Sequence, residues 1–105
     1  MTIFKDKITD ISWLNEEGNN IQYSFSDLAI LCLNSKPEKG GYSIIEMAER
    51  LSIIDKLKEC KEKETVELEA KEVLKLQEVV KFMSDKWQIM HKDIVEFDSY
   101  IMNLK

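Results

Sequence analysis

Between Val73 and Trp87 the apolar residues Val73, Leu76, Val80, Met83 and Trp87 recur at alternating spacings of three and four. On an α-helix that spacing draws one narrow apolar seam, with Lys and Glu on the other faces. So narrow a strip must be covered, either by the rest of this chain or by another copy of it. The five residues are therefore candidates for core or interface.

The seam helix is expected over 70–83, or over 70–88 if Ser84-Asp85 does not break it. A charged helix precedes it. Ser43-Ile44-Ile45-Glu46 reads as a capping box, in which Ser43 accepts from the Glu46 N–H and the Glu46 carboxylate takes the Ser43 N–H. It predicts a helix over 44–63 with Ile44, Met47, Ala48, Leu51, Ile54 and Leu57 as its buried stripe. Lys58/Glu62 and Glu59/Lys63 stand four apart and support that helix as ion pairs. Thr65-Val66-Glu67-Leu68-Glu69 alternates briefly, which suggests an extended tether pairing with the N-terminal hairpin. A last helix over 92–104 would bury Ile94, Phe97, Ile101 and Leu104.

That hairpin is expected at about 8–25. Ile11 and Trp13 share one strand face, Ile21, Tyr23 and Phe25 share another, and Asn15 to Asn20 supply turn residues. Ser24-Phe25-Ser26-Asp27 then offers two N-caps for a short helix at about 26–34, apolar on most faces. Asn34 to Gly41 holds the single Pro and two of the three Gly, and reads as the main loop. The fold class is α+β, mainly α. It is a single domain over 1–105, an N-terminal β-hairpin packed on a small antiparallel bundle of three to four helices.

Composition narrows the function. A net charge of −5 argues against direct nucleic-acid binding, which needs a basic face to displace counterions. No apolar run approaches the ~20 residues of a membrane span, and the N-terminus lacks the pattern of a signal peptide. Cys32 and Cys60 fit no paired spacing, and Cys32 lies in an apolar run. They read as free thiols of a reducing compartment, so the protein is expected in the cytoplasm.

Candidate chemistry is sparse. His91, the only histidine, has Asp93 two residues on. The pair could do acid–base work, but a surface or helix-end role explains it more simply. Glu67, Glu69 and Glu72 could hold a divalent ion, but carboxylates also favour the positive end of a helix dipole. Gly40-Gly41, with Lys36 and Lys39 nearby, precedes a helix start yet matches no phosphate-loop spacing. No catalytic residues, cofactor or metal are therefore expected. The enzymatic alternative would run through His91. Trp13, Tyr42, Trp87, Phe97 and Tyr100 are the aromatic anchors, and Met83, Met90 and Met102 could pack adaptably at helix contacts.

Three stretches carry a resemblance over about residues 18–83. They are Tyr23-Ser24-Phe25-Ser26-Asp27-Leu28, then Ser43-Ile44-Ile45-Glu46 with Arg50-Leu51, then Val66-Glu67-Leu68-Glu69-Ala70-Lys71-Glu72. In this order the chain resembles small phage and prophage proteins of similar length without assigned function. The resemblance implies a host-cell or virion-associated setting and brings no catalytic residues with it. The expectation is a non-catalytic interaction or assembly protein acting through helix packing and self-association, a homo-oligomer or a binder of another protein. Its interface would draw on Met83, Trp87, Val80, Leu76 and Val73. The hairpin and the other helices also need cover, so Met83 and Trp87 are the part of the seam expected to stay accessible. The alternative is a small acidic inhibitor or regulator of a host nucleic-acid enzyme.

Overall fold

The computed structural model describes residues 1–37 and 40–105; Glu38 and Lys39, the latter one of the loop lysines considered above, lie outside the described residues. The elements run β1 (Thr2–Lys5), β2 (Ile8–Leu14), β3 (Asn20–Ser24), α1 (Phe25–Leu33), α2 (Ile44–Lys63), β4 (Thr65–Leu68), α3 (Ala70–Met83) and α4 (Lys92–Met102). The class is α+β and mainly helical, with an N-terminal antiparallel hairpin against the helices.

The hairpin is β2–β3, in register Trp13↔Ile21 and Leu14↔Asn20, with a bulge on β2 between Ile8 and Ser12. Thr9 fills the bulge. Its hydroxyl donates to the Tyr23 carbonyl at 2.7 Å and accepts from the Ile11 N–H at 3.1 Å. The chain then turns directly into α1. Ser24 is the N-cap: its Oγ accepts from the Asp27 N–H at 3.3 Å, and its own N–H donates to Asp27 Oδ2 at 3.0 Å. This reciprocal cap satisfies two backbone donors otherwise orphaned at a helix start.

The tether expectation is corrected. β4 pairs with β1, not with the hairpin, in register Thr2↔Leu68 and Phe4↔Val66. Four residues are too few to show β1 as a strand by alternation. What holds it is non-local: Phe4 is fully buried and meets Tyr100 edge-on at 5.6 Å. The turn from α2 into β4 places Glu64 at φ 69°, where the Glu64 N–H reaches Cys60 O at 2.7 Å and its carbonyl accepts from Asp6 at 2.8 Å. A non-glycine residue there costs about 1–2 kcal/mol, and these two bonds offset it.

One core joins all layers: Phe4, Ile11, the inner face of α1, then Ile53, Leu57, Cys60, Leu68, Leu76, Val80, Phe97 and Ile101. The expected stripe on α2 needs a second correction. Ile54 and Leu57 are buried, joined by Ile53 and Cys60, but Ile44 (79% exposed), Met47, Ala48 and Leu51 (50%) face solvent. At 100° per residue the centres of the two sets lie about 140° apart around the helix, with Ile54 at the boundary between them. In the first half of α2 the inward side is polar instead. Glu46 takes Lys75 of α3 at 2.9 Å and Arg50 at 2.9 Å, and the Arg50 guanidinium caps the end of α1 through Leu33 O at 3.0 Å and Ser35 O at 3.1 Å. Glu46 is therefore engaged away from Ser43, whose Oγ still accepts from the Glu46 N–H at 3.0 Å. The capping box read from the sequence keeps only that half.

Candidate functional site

Helix α3 ends at Met83, and Ser84 caps it, so Trp87 sits in the following turn rather than on the helix. That break lets the end of the seam swing away from its beginning. Val73, Leu76 and Val80 lie in the core with Val79, whereas Met83 and Trp87 are half-buried at its margin. Trp87 meets Phe97 edge-on at 6.4 Å.

Around Met83 and Trp87 the elements leave an apolar groove of about 250 Å³. The hairpin contributes Ile11 and Tyr23, α1 contributes Leu28 and Leu31, the end of α3 contributes Met83, the turn after it contributes Trp87 and Ile89 with the polar Lys86 and Gln88, and α4 contributes Ile94. Trp13 stacks on Tyr23 at 6.0 Å and carries the apolar surface on toward the hairpin tip. Leu31 and Ile89 line this region and are themselves partly exposed. Each position follows from local structure. Strand alternation turns Ile11, Trp13, Ile21 and Tyr23 to one face, and the three-residue step from Leu28 to Leu31 keeps both on one side of α1. Sequence periodicity marks Met83 and Trp87 but not Leu31 or Ile89. Leu31 belongs to a helix apolar on most faces, and Ile89 lies between helices, where no period applies.

The residues weighed for chemistry hold structural positions. His91 is the N-cap of α4, and its Nδ1 accepts from the Asp93 N–H at 3.0 Å. Asp93 is buried, and its Oδ2 takes the Asp10 N–H at 2.8 Å, tying α4 to the hairpin. Of the three glutamates, Glu72 turns inward. It accepts from the Glu69 N–H at 2.8 Å and pairs with Lys56 at 2.6 Å. Burial alone would raise the Glu72 carboxyl, but the Lys56 ammonium and the Glu69 amide outweigh it and hold the group below its ordinary value. Cys32 and Cys60 are free and buried. Burial, with the Asp98 charge behind it, pushes the Cys32 thiol up to about 12. Burial, with Asp6, pushes Cys60 up to about 11. Both are protonated at neutral pH and inert as nucleophiles. Among the described residues, no three His, Cys, Asp or Glu side chains gather to hold a metal ion, and no helix is long and apolar enough to cross a membrane.

The arrangement can bury apolar and aromatic surface against a partner. Comparison of the chain with protein-family models, curated proteins and solved structures finds no match.

Proposed function

We propose that this chain is a non-catalytic interaction or assembly protein that works by self-association through the groove between the hairpin and the 83–89 turn. The observation that carries this reading is the groove itself, an open and mainly apolar surface lined by Tyr23, Trp87 and Leu31, with Trp13 stacked on Tyr23 beside it. Aromatic side chains with one face packed and one face free are the usual anchors of protein interfaces. A small phage-encoded assembly protein acting in the cytoplasm suits this reading, and the two free thiols support a reducing compartment. The acidic-inhibitor alternative has less support. Asp6, Asp27, Glu46, Glu72 and Asp93 are engaged by hydroxyls, amides, lysines and Arg50 rather than displayed together.

Sedimentation velocity at micromolar concentration tests the proposal. The wild-type chain is expected to sediment as a dimer or larger. Leu31→Asp, at a partly exposed position lining the groove, is expected to sediment as a monomer with an unchanged circular dichroism spectrum. A wild type that stays monomeric, or a Leu31→Asp variant that associates as the wild type does, overturns it.

A further inference from the structure

We infer that a second copy of this chain joins along the outer edge of β3, strand to strand, antiparallel and centred on Gln22. The inference rests on the self-association reading above and adds a strand contact beside the groove.

An outer strand edge presents unpaired N–H and C=O groups, a ready template for another strand. Among the described residues the four strands form two two-stranded sheets, so each has one outer edge. On β1 the Lys5 N–H donates to the Tyr100 hydroxyl at 2.7 Å, and the Thr2 hydroxyl donates to the Lys105 carbonyl. On β2 the Asp93 carboxylate takes the Asp10 N–H, and the bulge bends the strand. β4 is flanked and studded by Glu64, Glu67 and Glu69, which would repel their own copies across a two-fold axis. β3 is different. Asn20-Ile21-Gln22-Tyr23-Ser24 contains no charge, no proline and no glycine, and the bulge lies on its neighbour.

The direction of its backbone groups follows from two bonds. The Tyr23 carbonyl accepts from Thr9, and the Phe25 N–H donates to Lys7 O at 2.8 Å, so the odd-numbered residues face β2. Strand alternation then turns the N–H and C=O of Gln22 outward. In an antiparallel pair about a two-fold axis, Gln22 lies opposite its own copy and the two exchange a pair of N–H···O bonds. Ile21 then lies across from the second copy's Tyr23, on the face that also carries Ile11 and Trp13. The half-exposed Trp13 and Ile21 become continuous with the same surface of the partner. For a chain of net charge −5, a neutral strand is also where two copies meet with least repulsion. The Ser24 N–H is already held by Asp27, so the backbone junction is short and the apolar face supplies the rest.

Gln22 makes the test specific, because its backbone lies outside the β2–β3 ladder. Gln22→Pro removes the outward donor, as edge strands tolerate, and is expected to weaken dimerisation about tenfold or more in sedimentation equilibrium. Gln22→Lys and Gln22→Glu each place like charges opposite one another and are expected to be largely monomeric. Mixing the two charged variants is expected to restore a dimer, now of one chain of each kind. Circular dichroism keeps the fold in view for every variant. A wild type that is monomeric up to about 100 μM, charged variants that dimerise as the wild type does, or a mixture that gives no mixed dimer overturns the inference. Loss of dimer in Leu31→Asp with no effect at Gln22 sinks the edge pairing and leaves the groove standing; the reverse pattern sinks the groove.

Discussion

Glu46 shows how one side chain is reassigned by the tertiary structure. Its place three residues after Ser43 suggests a local cap, yet the carboxylate bonds Lys75 from α3 and Arg50 from its own helix. Lys75 and then Arg50 outweigh partial burial and hold the Glu46 carboxyl below its ordinary value of 4.5. A depressed carboxyl contributes stability above its unfolded value and loses it as pH falls through the folded one. Glu46→Gln is therefore expected to cost about 1–2 kcal/mol at neutral pH. In urea melts, the gap between wild type and variant should stay constant from pH 6 to 8 and narrow progressively below about 4.5. Nothing local announces this role, because Lys75 lies 29 residues away in sequence. His91 is the opposite case. Its capping bond to Asp93 spans two residues, and a helix-end role was already readable beside the catalytic one.

The two long helices contrast at the level of the element. In α3 the period of the seam agrees with burial: Val73, Leu76 and Val80 are in the core, and Val79 joins them on the same face. In α2 the period misleads, because apolar residues occupy two sides and only one finds neighbours. Leu76→Ala is expected to cost about 2–5 kcal/mol through lost contacts and a residual cavity. Leu51→Ala, half-exposed on the same kind of pattern, is expected to stay within about 0.5 kcal/mol. Chemical denaturation of the two variants checks this, and similar losses would show that the outer face of α2 is covered in solution. The helix over 44–63 is where the sequence puts it, because its N-cap and its length are local properties. Its orientation about its own axis is not local. It is set by Lys75, by the open carbonyls at the end of α1, and by Leu68 and the rest of the core.

Across the whole molecule, the β1–β4 pair brings residues 2–5 beside residues 65–68, while Tyr100 and the Lys105 carbonyl tie the C-terminal end to the same strand. The first strand therefore acts as a clasp that holds both ends of the chain against β4. Phe4→Ala is expected to cost about 3–5 kcal/mol, a large part of the ~5–15 kcal/mol that holds a domain together. A thermal melt should show a drop of ten degrees or more, at about 4–8 °C per kcal/mol. A drop of only a degree or two would mean that β1 is dispensable. By itself the sequence determined the class of fold, the hairpin, the helices and the apolar seam of α3, since capping, turn chemistry and periodicity act within a few residues. Tertiary structure decided that β4 takes β1 as its partner, that the first half of α2 shows its apolar side to solvent, and that the end of the seam opens into a groove. Each of those depends on which surfaces reach one another across tens of residues, and local spacing carries no record of that distance.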